Sequence, residues 1–183
     1  MGIIEEDLKK LIPFIGPPLT ASFRLFYHMD EKQAWESVQY YREYFSETGI
    51  FENAVYPGIP ELLSKLRQEG RMLGVATSKP EVFARRILEH FSLAAFFHEV
   101  VGSNLDGSMV EKEEVVACAL KNMRPMDLKS VVMVGDREHD IFGARKNAID
   151  SIAVGYGYGS EEELNRAKPT FYVRTMNDLY DVL

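Results

Sequence analysis

The stretch Val131-Val-Met-Val-Gly-Asp-Arg-Glu-His-Asp140 constrains the fold more than any other. Four apolar residues, mostly β-branched, read as a strand buried on both faces, which is the pattern of a parallel sheet. Gly135 lets the chain turn at the strand's end, so Asp136 sits just past its carboxyl end. Asp140 follows four residues on, and a chain that turns helical after Asp136 places both carboxylates on one face of the first turn. Two acids there form a hard-oxygen pocket suited to Mg²⁺, which takes one or two carboxylates together with waters and substrate phosphate. Open α/β sheets bind ligands outside the carboxyl ends of their strands, so place and chemistry agree. The plainer alternative has Asp136 capping a helix and Asp140 as a solvated first-turn acid.

The chain has 183 residues, of which 46% are hydrophobic, enough for a core domain and a small accessory one. A formal charge of -7 argues against nucleic acid as a partner. The single cysteine, Cys118, excludes a disulfide framework and fits a reducing, cytoplasmic setting. No apolar run has the length of a membrane span, no leader pattern opens the sequence, and no internal repeat is visible.

Residues 1–53 read as helical only. Ile4, Leu8, Leu11 and Ile12 share a helical face that Ile15-Gly-Pro-Pro18 interrupts. Asp30-Glu-Lys-Gln33 has the form of a capping box ahead of a longer helix through Trp35, Val38, Tyr41 and Phe45. Its aromatic residues are candidates for plain bundle core or, through Tyr40, Tyr41, Arg42 and Tyr44, for ligand contacts. From residue 54 the pattern alternates between strands and helices. Met72–Ala76 is a buried strand, and Thr77-Ser-Lys-Pro80 beyond it brings hydroxyls and an ammonium to the start of a helix, a corner that suits phosphate or a simple N-cap. A short strand spans 98–101, Lys112 stands at the start of a helix where it opposes the dipole, and Ser151–Val154 and Thr170–Val173 are further strands. Gly155-Tyr-Gly-Tyr-Gly159 reads as a flexible loop without dinucleotide spacing, and Ser160-Glu-Glu-Glu163 as a second capping box. Five strands joined by helices imply a parallel, doubly covered α/β sheet with right-handed crossovers.

The ordered set Thr77, Lys112, then Gly135-Asp136 with Asp140 and Gly143-Ala144 resembles the haloacid dehalogenase-like phosphatase superfamily, in its phosphoglycolate phosphatase and 5′-nucleotidase-like branch. The resemblance implies a Rossmannoid core over 54–183 with a small helical cap over 1–53, in which Ile15-Gly-Pro-Pro-Leu19 is the turn near the site mouth. It implies Mg²⁺ held by Asp136 and Asp140, Lys112 bridging nucleophile and phosphate, and Thr77 with Ser78 on the phosphoryl oxygens of a small phosphorylated metabolite. It also implies an Asp-x-Asp motif at the end of a central first strand, and the sequence has no Asp-x-Asp pair. The expectation is therefore a chain short of that strand and of the nucleophilic aspartate, with Met1-Gly-Ile3 falling inside the cap. The two strands flanking the missing one are expected to pair with each other, with another chain through self-association, or with a segment outside this sequence. A complete form would hydrolyse phosphomonoesters such as phosphoglycolate or a nucleotide monophosphate. The alternative is an inactive phosphate-binding or regulatory protein on the same scaffold.

Overall fold

A computed structural model describes residues 5–183. Contacts divide the chain into a unit that ends at Ala54 and a unit that runs from Val55 to Leu183. Among the described residues no helix is long and apolar enough to cross a membrane.

The first unit contains a 3-10 helix at Leu8–Phe14, α1 at Leu19–Tyr27, α2 at Glu31–Phe45 and a 3-10 turn at Gly49–Phe51. The capping box is present: the Gln33 N–H donates to Asp30 Oδ1 at 2.8 Å, and the Asp30 N–H donates to Gln33 Oε1 at 3.1 Å. Helix α2 buries Ala34, Val38 and Phe45 and packs on α1. The expected apolar helical face through Leu8, Leu11 and Ile12 is not formed. That segment is a 3-10 helix with Pro13 inside it and no buried residue, because proline cannot donate to an α-helical ladder. Ile4 and the Met1-Gly-Ile3 stretch lie outside the described residues.

The second unit alternates helices and strands. Its order is α3 (Ile59–Gln68), β1 (Gly74–Pro80), α4 (Glu81–His90), β2 (Glu99–Ser103), α5 (Lys112–Met123), β3 (Val132–Gly135), α6 (Glu138–Lys146), β4 (Asp150–Val154), α7 (Glu161–Ala167), β5 (Phe171–Val173) and α8 (Met176–Val182). Every strand pairing is parallel, as consecutive apolar strands joined by helices require. The strands form two groups, β1-β2 and β3-β4-β5, and β1 is not paired with β3. Helix α5 packs on β1 and β2, α6 packs on β3 and β4, and the two helices touch, so each strand group lies under its own helix. The main core joins Leu62 and Leu66 of α3 to Ile152, Val154, Val173 and Leu179.

Two local expectations are revised. The strand expected at Met72–Ala76 begins at Gly74 and continues through Thr77-Ser-Lys-Pro80, with a register shift against β2 between Thr77 and Pro80. Met72 is 56% exposed and contributes nothing to the buried sheet. The second capping box is half made: Ser160 Oγ accepts the Glu163 N–H, but the Glu163 carboxylate turns to Arg137 and to the Glu138 N–H. The charged Arg137 guanidinium, together with the Glu138 N–H, holds that carboxylate away from its own N-cap.

Candidate active site

Lys112 gathers the site. It is the first residue of α5, and its ammonium donates to Ala76 O of β1 at 3.0 Å and pairs with Asp140 Oδ1 at 3.0 Å. The two side chains are 13% and 10% exposed, so this lysine is no solvated surface charge. A half-buried lysine at a helix start costs solvation and opposes the dipole, and the carboxylate with the carbonyl offsets both.

Asp136 and Asp140 do not share a helix face. Helix α6 begins at Glu138, which leaves Asp136 in the preceding loop and Asp140 in the first turn. Asp140 Oδ2 accepts the Arg137 N–H at 3.1 Å while Oδ1 holds Lys112, and the residue is 7% exposed, so it is no solvated acid. Asp136 turns toward the glycine loop, where its Oδ2 accepts the Tyr158 N–H at 2.7 Å. A Cβ on Gly157 would stand 2.3 Å from that same Oδ2, so only glycine lets the loop close on the carboxylate. A Cβ on Gly135 would likewise stand 2.3 Å from the Asp140 carboxyl, so that glycine makes room for an acid as well as ending the strand.

On the β1 side, Thr77 Oγ1 accepts the Lys79 N–H at 3.1 Å, which leaves the hydroxyl proton to point elsewhere. Ser78 is tied to β2 through its carbonyl, which accepts from Ser103 Oγ at 2.9 Å. Burial pulls the Lys79 ammonium below its usual pKa. Around Asp136, the rings of Tyr56 and Tyr156 meet edge to face at 5.5 Å. Burial raises both phenols, and the Asp136 charge pushes each the same way. Glu163 accepts from Arg137 Nε at 2.8 Å; burial would raise its pKa, but the Arg137 and Glu138 hydrogen bonds outweigh burial and hold it below the usual carboxylate range.

The structure thus brings Lys112 and Asp140 into contact and sets Asp136 against the 155–159 loop. Sequence reasoning passed over the Tyr158 N–H, Gly157 and the Arg137–Glu163 pair. The alternate spacing of glycines at 155, 157 and 159 was the available sign. Among the described residues no cluster of three or more His, Cys, Asp or Glu side chains forms a metal cage. Mg²⁺ needs only one or two carboxylates and keeps its waters, so the Asp136 carboxylate, with one oxygen fixed by Tyr158, fits it. Asp140, with both oxygens already accepting, fits an outer position reached through water.

A family profile described as haloacid dehalogenase-like hydrolase matches residues 2–154. The chain belongs to that family. Among relatives of this haloacid dehalogenase-like hydrolase, the 5′-nucleotidase of Pseudomonas aeruginosa is 47% identical over 183 residues, covering 100% of this chain and 82% of the relative. The tyrosine-protein kinase PtkA of Mycobacterium tuberculosis is 39% identical over 181 residues, which are 98% of this chain but 60% of PtkA. The crystal structure of a "predicted phosphatase" from Clostridium acetobutylicum superposes with a TM-score of 0.94 at 47% identity, covering 98% of this chain and 83% of that one.

Proposed function

We propose that this chain carries the metal- and phosphate-holding half of a Mg²⁺-dependent phosphomonoester hydrolase. Its substrate class is a small phosphorylated metabolite such as phosphoglycolate or a nucleotide monophosphate, a reading supported by the 5′-nucleotidase relative. The observation that carries it is Lys112, whose ammonium is fixed between Ala76 of β1 and Asp140 past β3, in the loops where a parallel sheet binds ligands.

Bound Mg²⁺ would neutralise charge on a phosphoryl group held there. Asp136 would hold it, and Asp140, whose oxygens are already accepting, would act through water and by holding Lys112 in place. Lys112 supplies a fixed positive charge to the phosphoryl oxygens, and the Thr77 hydroxyl, its oxygen already accepting from Lys79, donates its proton to one of them. Ser78 contributes from the adjoining β1 backbone. The nucleophilic aspartate that the family resemblance calls for is not among these residues. This division separates the electrostatic part of phosphoryl transfer from the covalent part.

Hydrolysis of p-nitrophenyl phosphate by the purified chain, with and without Mg²⁺ and beside an Asp136→Asn variant, tests the reading. The expected result is a folded protein with no Mg²⁺-dependent turnover of its own. Turnover that needs both Mg²⁺ and Asp136 would place an attacking group inside this chain and refute the division. Mg²⁺ binding that Asp136→Asn leaves untouched would refute the metal assignment.

A further inference from the structure

The carboxyl ends of β3 and β4 lead into the candidate active site, and their amino ends carry a second feature. A recess of about 290 Å³ opens there, bounded by the 3-10 turn at Leu128–Ser130, the end of α6, the first residues of β4 and the end of α7. Its lining holds three cations, Lys129, Arg145 and Lys168, against one carboxylate, Asp150. The whole chain has a formal charge of -7, so the sign is locally reversed. Strands of four and five residues set this recess roughly 15 Å from the loops that hold Asp136 and Lys112.

The cations are not taken up by neighbouring acids. Among the described residues no ion pair involves Lys129, Arg145 or Lys168. Carbonyls hold Arg145 in place: its Nη2 donates to the Ala167 oxygen and, at 2.9 Å, to the Lys168 oxygen. A guanidinium at a helix C-terminus is favourable in itself, but those bonds engage Nη2 alone and leave the other N–H groups of the fork. The Asp150 carboxylate is directed elsewhere, since its Oδ1 accepts the Thr170 hydroxyl at 2.9 Å. Ser151, also in the lining, is 6% exposed, and its Oγ accepts the Thr170 N–H at 3.3 Å, which leaves the hydroxyl proton to donate.

We propose that this recess binds a small anion with two charged groups, of the diphosphate class. Three positive charges against one negative leave a surplus that a ligand with at least two negative charges balances, and cations converging on a concave surface reinforce one another's field. Arg145 presents a planar fork that matches phosphoryl oxygens, and its tether to the carbonyls means that little freedom is lost on binding. The two lysines add point charges on flexible stems, and Ser151 adds a neutral donor. A volume of about 290 Å³ lies at the small end of ligand sites, which suits a compact anion and not one that carries a nucleoside. The proposal goes beyond the proposed function: it uses no residue of the Asp136 and Lys112 site and stands if that site fails.

Isothermal titration calorimetry of the full chain with inorganic diphosphate, without Mg²⁺, is the test. Binding should persist in Asp136→Asn and weaken by about tenfold or more when Lys129→Gln and Lys168→Gln are combined, since two charged contacts are then lost. A control that combines Lys32→Gln and Lys121→Gln, at exposed lysines elsewhere, has the same net charge and should bind as the native chain does. Inorganic phosphate, with one charged group, should bind more weakly than diphosphate. No binding at millimolar diphosphate would overturn the proposal, and so would an equal loss in the control variant, which marks diffuse attraction in place of a site. Binding abolished by Asp136→Asn and kept in the Lys129 and Lys168 double variant would move the anion to the active site and overturn it as well. Phosphate affinity equal to that of diphosphate would overturn the two-group assignment. Failure of the hydrolase reading shows instead in Mg²⁺ binding and turnover, and leaves these titrations unchanged.

Discussion

At the scale of single residues, the contact between Lys112 and Asp140 is the costliest to disturb. Lys112→Met should leave the Asp140 carboxylate buried without its cation and destabilise the second unit by about 3–5 kcal/mol. Adding Asp140→Asn should restore a good part of that loss, and urea denaturation of the two single variants and the double variant measures both effects. Gly157→Ala forces a methyl group against the Asp136 carboxylate, with an expected cost of about 1–3 kcal/mol and weaker Mg²⁺ binding by calorimetry. These residues differ in how legible they were. Thr77, Lys112, Asp136 and Asp140 stand out by residue type and order, but the partners of Lys112 are 36 residues upstream and 28 downstream, beyond any local pattern. Gly157 was read as a flexible position because its constraint is a close approach across space, which spacing alone does not encode.

At the scale of elements, local chemistry was readable where it is purely local. The Asp30 cap and Gln33 are three residues apart, and Asp30→Ala should cost about 1 kcal/mol of α2 stability, read as lost helicity on heating. Ser160 and Glu163 have the same spacing, but a guanidinium 26 residues away takes the glutamate's side chain. That long-range pair makes a pH prediction. The folded pKa of Glu163 is lowered, so its contribution is fully present above the unfolded carboxyl pKa and is lost as pH falls through the folded value. Stability measured against pH should therefore fall less steeply on the acid side in Glu163→Gln than in the native chain. The 3-10 segment at Leu8–Phe14 shows the opposite case, where apolar spacing suggested an α-helix and Pro13 decided otherwise.

At the scale of the whole molecule, the alternation of strands and helices specified a parallel α/β core, and family membership agrees with it. The division into two sheets leaves β1 and β3 unpaired with each other, the two strands between which the family resemblance implies a further one. The β4 amides, paired on both sides, should exchange far more slowly than the amides on the unpaired sides of β1 and β3. We propose that the chain by itself assembles a phosphate-holding site from Asp136, Lys112 and Thr77. Calorimetric titration with inorganic phosphate, in the presence and absence of Mg²⁺, measures this directly. Binding that Mg²⁺ strengthens, and that is lost in Asp136→Asn and in Lys112→Met while both stay folded, is the result predicted. Phosphate affinity indifferent to Mg²⁺ and to both substitutions would rule that site out.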